Sequence, residues 1–182
     1  TLVIYQQAAV AQAAAGAQVG APRGFMDGLV GAIRSALDSA GYPDVAILAY
    51  AAKYASALYG PFRDAVDVTI RSGDRKGYQQ DWRNAREAVT EVLADLAEGA
   101  DMVMVKPAVT YLDVIARARA AVNVPLGSYH VSGEYAMIAA AAERGWIDGP
   151  AVALEQLTAV KRAGADFILT YFAGEVAEAL GG

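Results

Sequence analysis

Two lysines stand where a protein could use an amine as a nucleophile. Lys53 follows the apolar run AILAY, and Lys106 ends the apolar run MVMV. A lysine at the C-terminal end of a buried strand keeps its stem in the core and presents its amine at the mouth of the fold. Desolvation, or a neighbouring cation, frees such an amine to attack a carbonyl carbon and form a Schiff base. For a single lysine, a side chain reaching for solvent explains the pattern as well. Two lysines on successive runs point to one shared pocket.

The residues between them add to that chemistry. Residues 54–81 form a long connection, YASALYGPFRDAVDVTIRSGDRKGYQQD. Connections beyond ~15 residues without structure of their own are usually lids or disordered. This one is too aromatic for disorder, with Tyr54, Tyr59, Phe62 and Tyr78 available to pack. It carries Arg63, Arg71, Arg75 and Lys76 in a chain that is otherwise acidic. A cationic lid over two amines suits a small substrate bearing a carboxylate or phosphate. Downstream, Ser132 reads as a helix N-cap whose hydroxyl and first amides suit a carboxylate. Tyr171 ends the run FILTY with its hydroxyl towards the same mouth. His130 is the sole histidine and reads as structural. There is no cysteine, so thiolate chemistry and cysteine zinc sites are excluded within this chain. A carboxylate–water magnesium site leaves too weak a signature to find this way.

What positions these residues is a repeated unit: an amphipathic helix, a glycine, a few residues, then a β-branched apolar run. The glycines are Gly16, Gly41, Gly99 and Gly164, each placed for a left-handed helix C-cap. Strands are expected at 18–22, 45–50, 102–106, 125–130 and 167–172. Helices are expected at 2–15, 28–40, 82–98, 111–121, 133–144, 150–163 and 173–181, with Asp27 and Asp81 as N-caps of the second and third. Alternation of strand and helix with short turns means a parallel α/β fold. A doubly wound sheet often carries a glycine-rich nucleotide turn, and none is present. A (β/α)8 barrel gathers its functional residues at the C-terminal strand ends, where the lysines lie. Five strands then make five-eighths of a barrel, in a single domain over 1–182 with residues 54–81 as its lid.

Bulk properties fit. The chain has 182 residues, 55% hydrophobic and 19% charged, with a net charge of −5. It lacks the basic face that nucleic-acid binding needs. No apolar run reaches the ~20 residues of a membrane helix. The N-terminus has no signal-peptide pattern, and a cytoplasmic location is expected.

Five segments, in order, resemble the signature blocks of the porphobilinogen synthases (5-aminolevulinate dehydratases). They are YAAKYASALYGPFRDA, GDRKGYQ, EGADMVMVKPAVTYLD, YHVSGEYAMI and KRAGADFILTYF. The resemblance is to the C-terminal part of the family, its fourth to eighth βα units, in a form similar to actinobacterial members. It implies a TIM barrel, with an arm and three βα units expected upstream, roughly 140 residues. It implies condensation of two 5-aminolevulinate molecules to porphobilinogen with loss of two waters. Lys106 would hold one substrate and Lys53 the other. Arg63, Arg75 and Gln79 would bind one carboxylate, and Ser132 and Tyr171 the other. Tyr59 and Phe62 would pack around the substrates. Glu91 matches a position that contributes to an allosteric magnesium site between subunits, and a homo-octamer is implied. The catalytic zinc or other metal of the family would lie in the upstream part. Arg23 and Gly24 depart from the family's usual Ser-Asp, Ala52 from its Ser before the lysine, and Leu58 from an aromatic. Two other readings stay open: a non-catalytic relative with a binding role, and a Schiff-base aldolase. Alone, a five-strand segment is expected to be inactive, because two raw sheet edges stay open.

Overall fold

The apolar runs become the strands of one sheet in a computed structural model that describes residues 1–66 and 77–181. The strands are β1 (Val19–Gly20), β2 (Ala46–Lys53), β3 (Met102–Lys106), β4 (Leu126–Tyr129) and β5 (Phe167–Leu169). All neighbouring pairs are parallel and the spatial order is the sequence order. Each connection therefore steps one strand in the same direction. With the right-handed crossovers that βα units adopt, every helix falls on one face of the sheet. A doubly wound fold would reverse direction midway. The chain is thus a curled half of a (β/α)8 barrel, with helices outside and side chains within.

The helices are α1 (Leu2–Ala14), α2 (Leu29–Ser39), α3 (Gly60–Ala65), α4 (Arg86–Ala97), α5 (Leu112–Ala121), α6 (Ser132–Glu143), α7 (Gly149–Arg162) and α8 (Ala173–Ala179). Strand alternation sorts the core into two clusters. Ile47, Ala49, Val103, Val105 and Leu126 face the helices and pack with Val30, Ile33, Leu37, Val92 and Ile115. Leu48, Tyr50 and Met104 face the barrel interior with Met102, Tyr129, Phe167 and Leu169. No helix among the described residues is long and apolar enough to cross a membrane.

Gly16, Gly41, Gly99 and Gly164 all take positive φ after a helix, as their spacing requires. The Gly-Ala-Asp turns do more than reverse the chain. The Asp101 carboxylate accepts from the Ile47 amide at 2.8 Å, and Asp166 accepts from the Leu126 amide at 2.8 Å. Each aspartate thereby caps the start of the preceding strand.

Several expected boundaries move. β1 and β5 shrink to the residues that have a neighbour, since each is an edge of the described sheet. β2 instead runs on through Lys53, held on one side by β3 and on the other by the Tyr54–Gln80 bridge. The helix expected from 82 starts at Arg86. Asp81 does not cap it, because its carboxylate is taken by Arg83. Asp27 does not cap α2; the amides of its N-cap Gly28 and of Gly31 donate instead to Glu98, which follows the last residue of α4. Ser132 is not the cap of α6 either. Val131 holds that position, and Glu134 reaches back to its amide.

Candidate active site

Lys53 and Lys106 are register partners at the C-terminal ends of adjacent strands. Strict alternation would not have put them on one face. Counting from Leu48 and Tyr50, Lys53 is out of phase with the interior, whereas Lys106 is in phase with Met102 and Met104. The register from Ala49↔Val103 to Ala52↔Val105 advances three residues on β2 against two on β3. That one-residue bulge re-aims the end of β2. It turns Lys53 inward beside Lys106, with Tyr50 still inward three residues earlier.

Tyr50 stands between the amines, its ring centre 5.7 Å from Lys53 Nζ and 5.4 Å from Lys106 Nζ. Tyr59 and Tyr129 also turn ring faces to Lys106, at 5.2 and 4.3 Å. Lys53, only 8% exposed, donates from Nζ to the Arg23 carbonyl at 3.0 Å. Burial pushes the Tyr50 hydroxyl up, and the Arg23 guanidinium acts against this. Burial, followed by a hydrogen bond with Tyr171, pushes the Tyr129 hydroxyl up to about 12. These phenols stay protonated near neutral pH.

An open cavity of about 660 Å³ is lined by both lysines. Arg23, Lys53, Arg63 and Lys106 are among its described lining residues, and no carboxylate is. Such a cavity favours anions. Gln79 lines it too; it is buried, and its amide nitrogen and oxygen have no hydrogen-bond partner among the described residues. It is brought there because Gln80 pairs with the end of β2: its amide donates to the Lys53 carbonyl at 3.1 Å. The neighbouring Gln80 side chain is buried as well, and its amide has no hydrogen-bond partner among the described residues.

The structure gathers Lys53, Lys106, Arg63, Gln79, Tyr59 and Phe62 around this one cavity. Arg75 lies outside the described residues, as do Arg71 and Lys76. Tyr171 is half-exposed; it stacks on Tyr135 with ring centres 5.6 Å apart and reaches the site through Tyr129. The Ser132 hydroxyl turns to the lid, accepting from the Phe62 amide at 3.1 Å. Glu91 sits on α4 in a separate cleft with Asp27, Asp95 and Glu98. No group of three or more metal-ligating side chains forms there or elsewhere among the described residues. Glu91 by itself supplies a single carboxylate towards a magnesium site. Sequence reasoning missed Tyr50 and Tyr129, because an aromatic within an apolar run looks like core.

With this geometry in place, comparison with known proteins identifies the family. The family model for delta-aminolevulinic acid dehydratase matches residues 1–179. The chain belongs to the delta-aminolevulinic acid dehydratase family. It is 59% identical over 177 residues to the delta-aminolevulinic acid dehydratase of Mycobacterium leprae, covering 97% of this chain and 54% of that one. It is 60% identical over 180 residues to that of Streptomyces coelicolor, covering 99% and 54%. A crystal structure of the Toxoplasma gondii dehydratase (porphobilinogen synthase), in complex with the reaction product porphobilinogen, superposes with a TM-score of 0.92 at 51% identity. That match covers 95% of this chain and 49% of the other. The chain therefore spans about half the length of these relatives, and the shared half includes both lysine-bearing strands.

Proposed function

We propose that this chain carries the lysine half of a porphobilinogen synthase, a lyase that condenses two 5-aminolevulinate molecules with loss of two waters. The observation that carries this reading is the pairing of Lys53 and Lys106 on one face of adjacent strands, in a cavity whose described charges are all cationic.

Each amine attacks a substrate ketone carbon through its lone pair. The carbonyl oxygen leaves as water, and an iminium remains. That iminium makes its carbon electrophilic and acidifies the adjacent carbon. The two substrates, held side by side by Lys106 and Lys53, then react as an intramolecular pair. Arg63 and the buried Gln79 amide take one substrate's carboxylate. The other carboxylate falls to Tyr171, the α6 N-terminus and Ser132, whose hydroxyl can donate to it while still accepting from the Phe62 amide. Tyr50, Tyr59 and Tyr129 keep a positive charge on nitrogen favourable through their ring faces, in the ammonium and in the iminium alike. Residues 54–81 act as the lid. The assembly is a homo-oligomer working in the cytoplasm, and Glu91 contributes to a magnesium site only if other ligands come from a neighbouring subunit or from water.

Borohydride reduction in the presence of 5-aminolevulinate, followed by peptide mass spectrometry, tests the reading. A reduced adduct on Lys106, with or without one on Lys53, is expected. A folded sample that traps no adduct on either lysine would overturn it.

A further inference from the structure

Among the described residues, one buried carboxylate is not used by the chemistry above. Glu134 is 1% exposed. A carboxylate so deep is kept only where hydrogen bonds replace its lost water. Its donors are backbone amides from two separate parts of the chain. One is Val131, at the cap of its own helix, 2.6 Å away. The others are Val109 at 2.6 Å and Ala108 at 3.2 Å, in the turn that begins two residues after Lys106. Chain connectivity does not require this tie: α6 follows β4, and the turn follows β3.

The same helical turn also holds the lid. Ser132 accepts from the Phe62 amide. A Cβ on Gly133 would stand 2.4 Å from the Leu58 carbonyl oxygen, so the turn bearing Tyr59 lies directly on that glycine. Tyr59 in turn faces Lys106 Nζ and donates from its hydroxyl to the Lys106 carbonyl at 3.4 Å. Ser132, Gly133 and Glu134 thus fix the exit of β3 and the lid turn against each other, on two sides of Lys106.

We propose that Glu134 is a positioning residue for Lys106: its carboxylate locks the turn after β3 to the start of α6, and so aims the Lys106 amine at the substrate carbonyl. This rests on the reading of Lys106 as a Schiff-base lysine. Glu134→Gln keeps the shape but replaces one acceptor oxygen with a donor that opposes the backbone amides. Glu134→Asp keeps the charge and is able to cap Val131, yet falls short of residues 108 and 109.

The test is borohydride trapping with 5-aminolevulinate on the protein as its gene encodes it, native and both variants. The Lys106 adduct is counted per mole of folded protein and against the Lys53 adduct in the same sample. A general loosening of the fold would lower both lysines together. The expected result is a selective fall at Lys106, about tenfold in both variants, with a cooperative thermal transition retained. An unchanged Lys106 adduct overturns the proposal and leaves the Schiff-base reading standing. No Lys106 adduct in the native protein overturns both. Failure of both variants to fold, or an equal fall at both lysines, also overturns it, because the carboxylate would then hold the fold as a whole.

Discussion

Tyr50 shows how a residue acts through its ring. It touches both amines through its face, so the effect lies in the π-system and not in the hydroxyl. Because the ring favours ammonium and iminium alike, Tyr50→Phe should keep borohydride adducts on Lys53 and Lys106 within about twofold of native, while Tyr50→Ala, which removes the ring packed between the two amines, should lower both further than Tyr50→Phe does. Equal loss in the two variants would assign the role to the hydroxyl. Asp95 makes a different kind of prediction. Burial first, then Glu98, Glu91 and Asp27, push its carboxyl up to about 7 from an ordinary 3.8. A raised folded-state value means that the fold favours the protonated form. The contribution to stability is whole below the ordinary value and is lost as pH rises through about 7. The thermal midpoint should therefore fall between pH 5 and pH 8. Asp95→Asn should flatten that fall and melt higher at pH 8, by about 2–4 °C for each kcal/mol of difference. A parallel fall in both proteins would remove Asp95 as its source. The lysines and Arg63 were legible in the sequence because a cation after an apolar run is a local signal. Tyr50 and Asp95 were not, since their surroundings are assembled from distant segments.

Elements were legible in kind and order except for α3, a short helix inside the segment read as a lid, and less so at their ends. Period and glycine placement give five strands and the flanking helices, because both signals are local. The bulge in β2 has no such signal. AILAYAAK carries no glycine, and only its register against β3 shows the extra residue. The helix caps failed for a related reason: Glu98 displaces Asp27 from a distance of 70 residues in sequence. The aspartates of the Gly-Ala-Asp turns, Asp101 and Asp166, are strand caps that the sequence pattern did not single out. They sit at the N-terminal ends of the strands, away from the lysines, where residues serve stability. Asp166→Ala removes the acceptor for Leu126 and the 2.8 Å ion pair with Arg119. It should cost about 1–3 kcal/mol and lower the melting temperature accordingly, with adduct yields per folded molecule unchanged. A lower Lys106 yield would mean that strain travels along β4.

At the scale of the whole molecule, the open barrel leaves apolar surface that water does not favour. β1 and β5 each have one paired side within the described sheet, and Val19 on β1 is 47% exposed. Helix α1 reads LVIYQQAAVAQAA without a single charge. Its inner side packs on the core through Tyr5, Ala9, Val10 and Ala13. Its outer side exposes Val3 at 60% and Ile4 at 69%. Contiguous surface of this kind marks a contact face, and unpaired parallel edges add backbone donors and acceptors that seek partners. The 182-residue chain should therefore sediment above its 19.0 kDa mass, with a weight-average mass that rises with concentration. Val3→Lys with Ile4→Glu should shift it towards monomer without altering the trapped adducts. The charges would disfavour burial of α1 and leave the lysine-bearing strands untouched. If both proteins stay monomeric at every concentration, the edges and α1 are tolerated in water and the half-barrel is stable by itself. If the variant associates as strongly as the native chain, the contact runs through the strand edges, and the same measurement on a β5-edge variant such as Ile168→Lys would decide it.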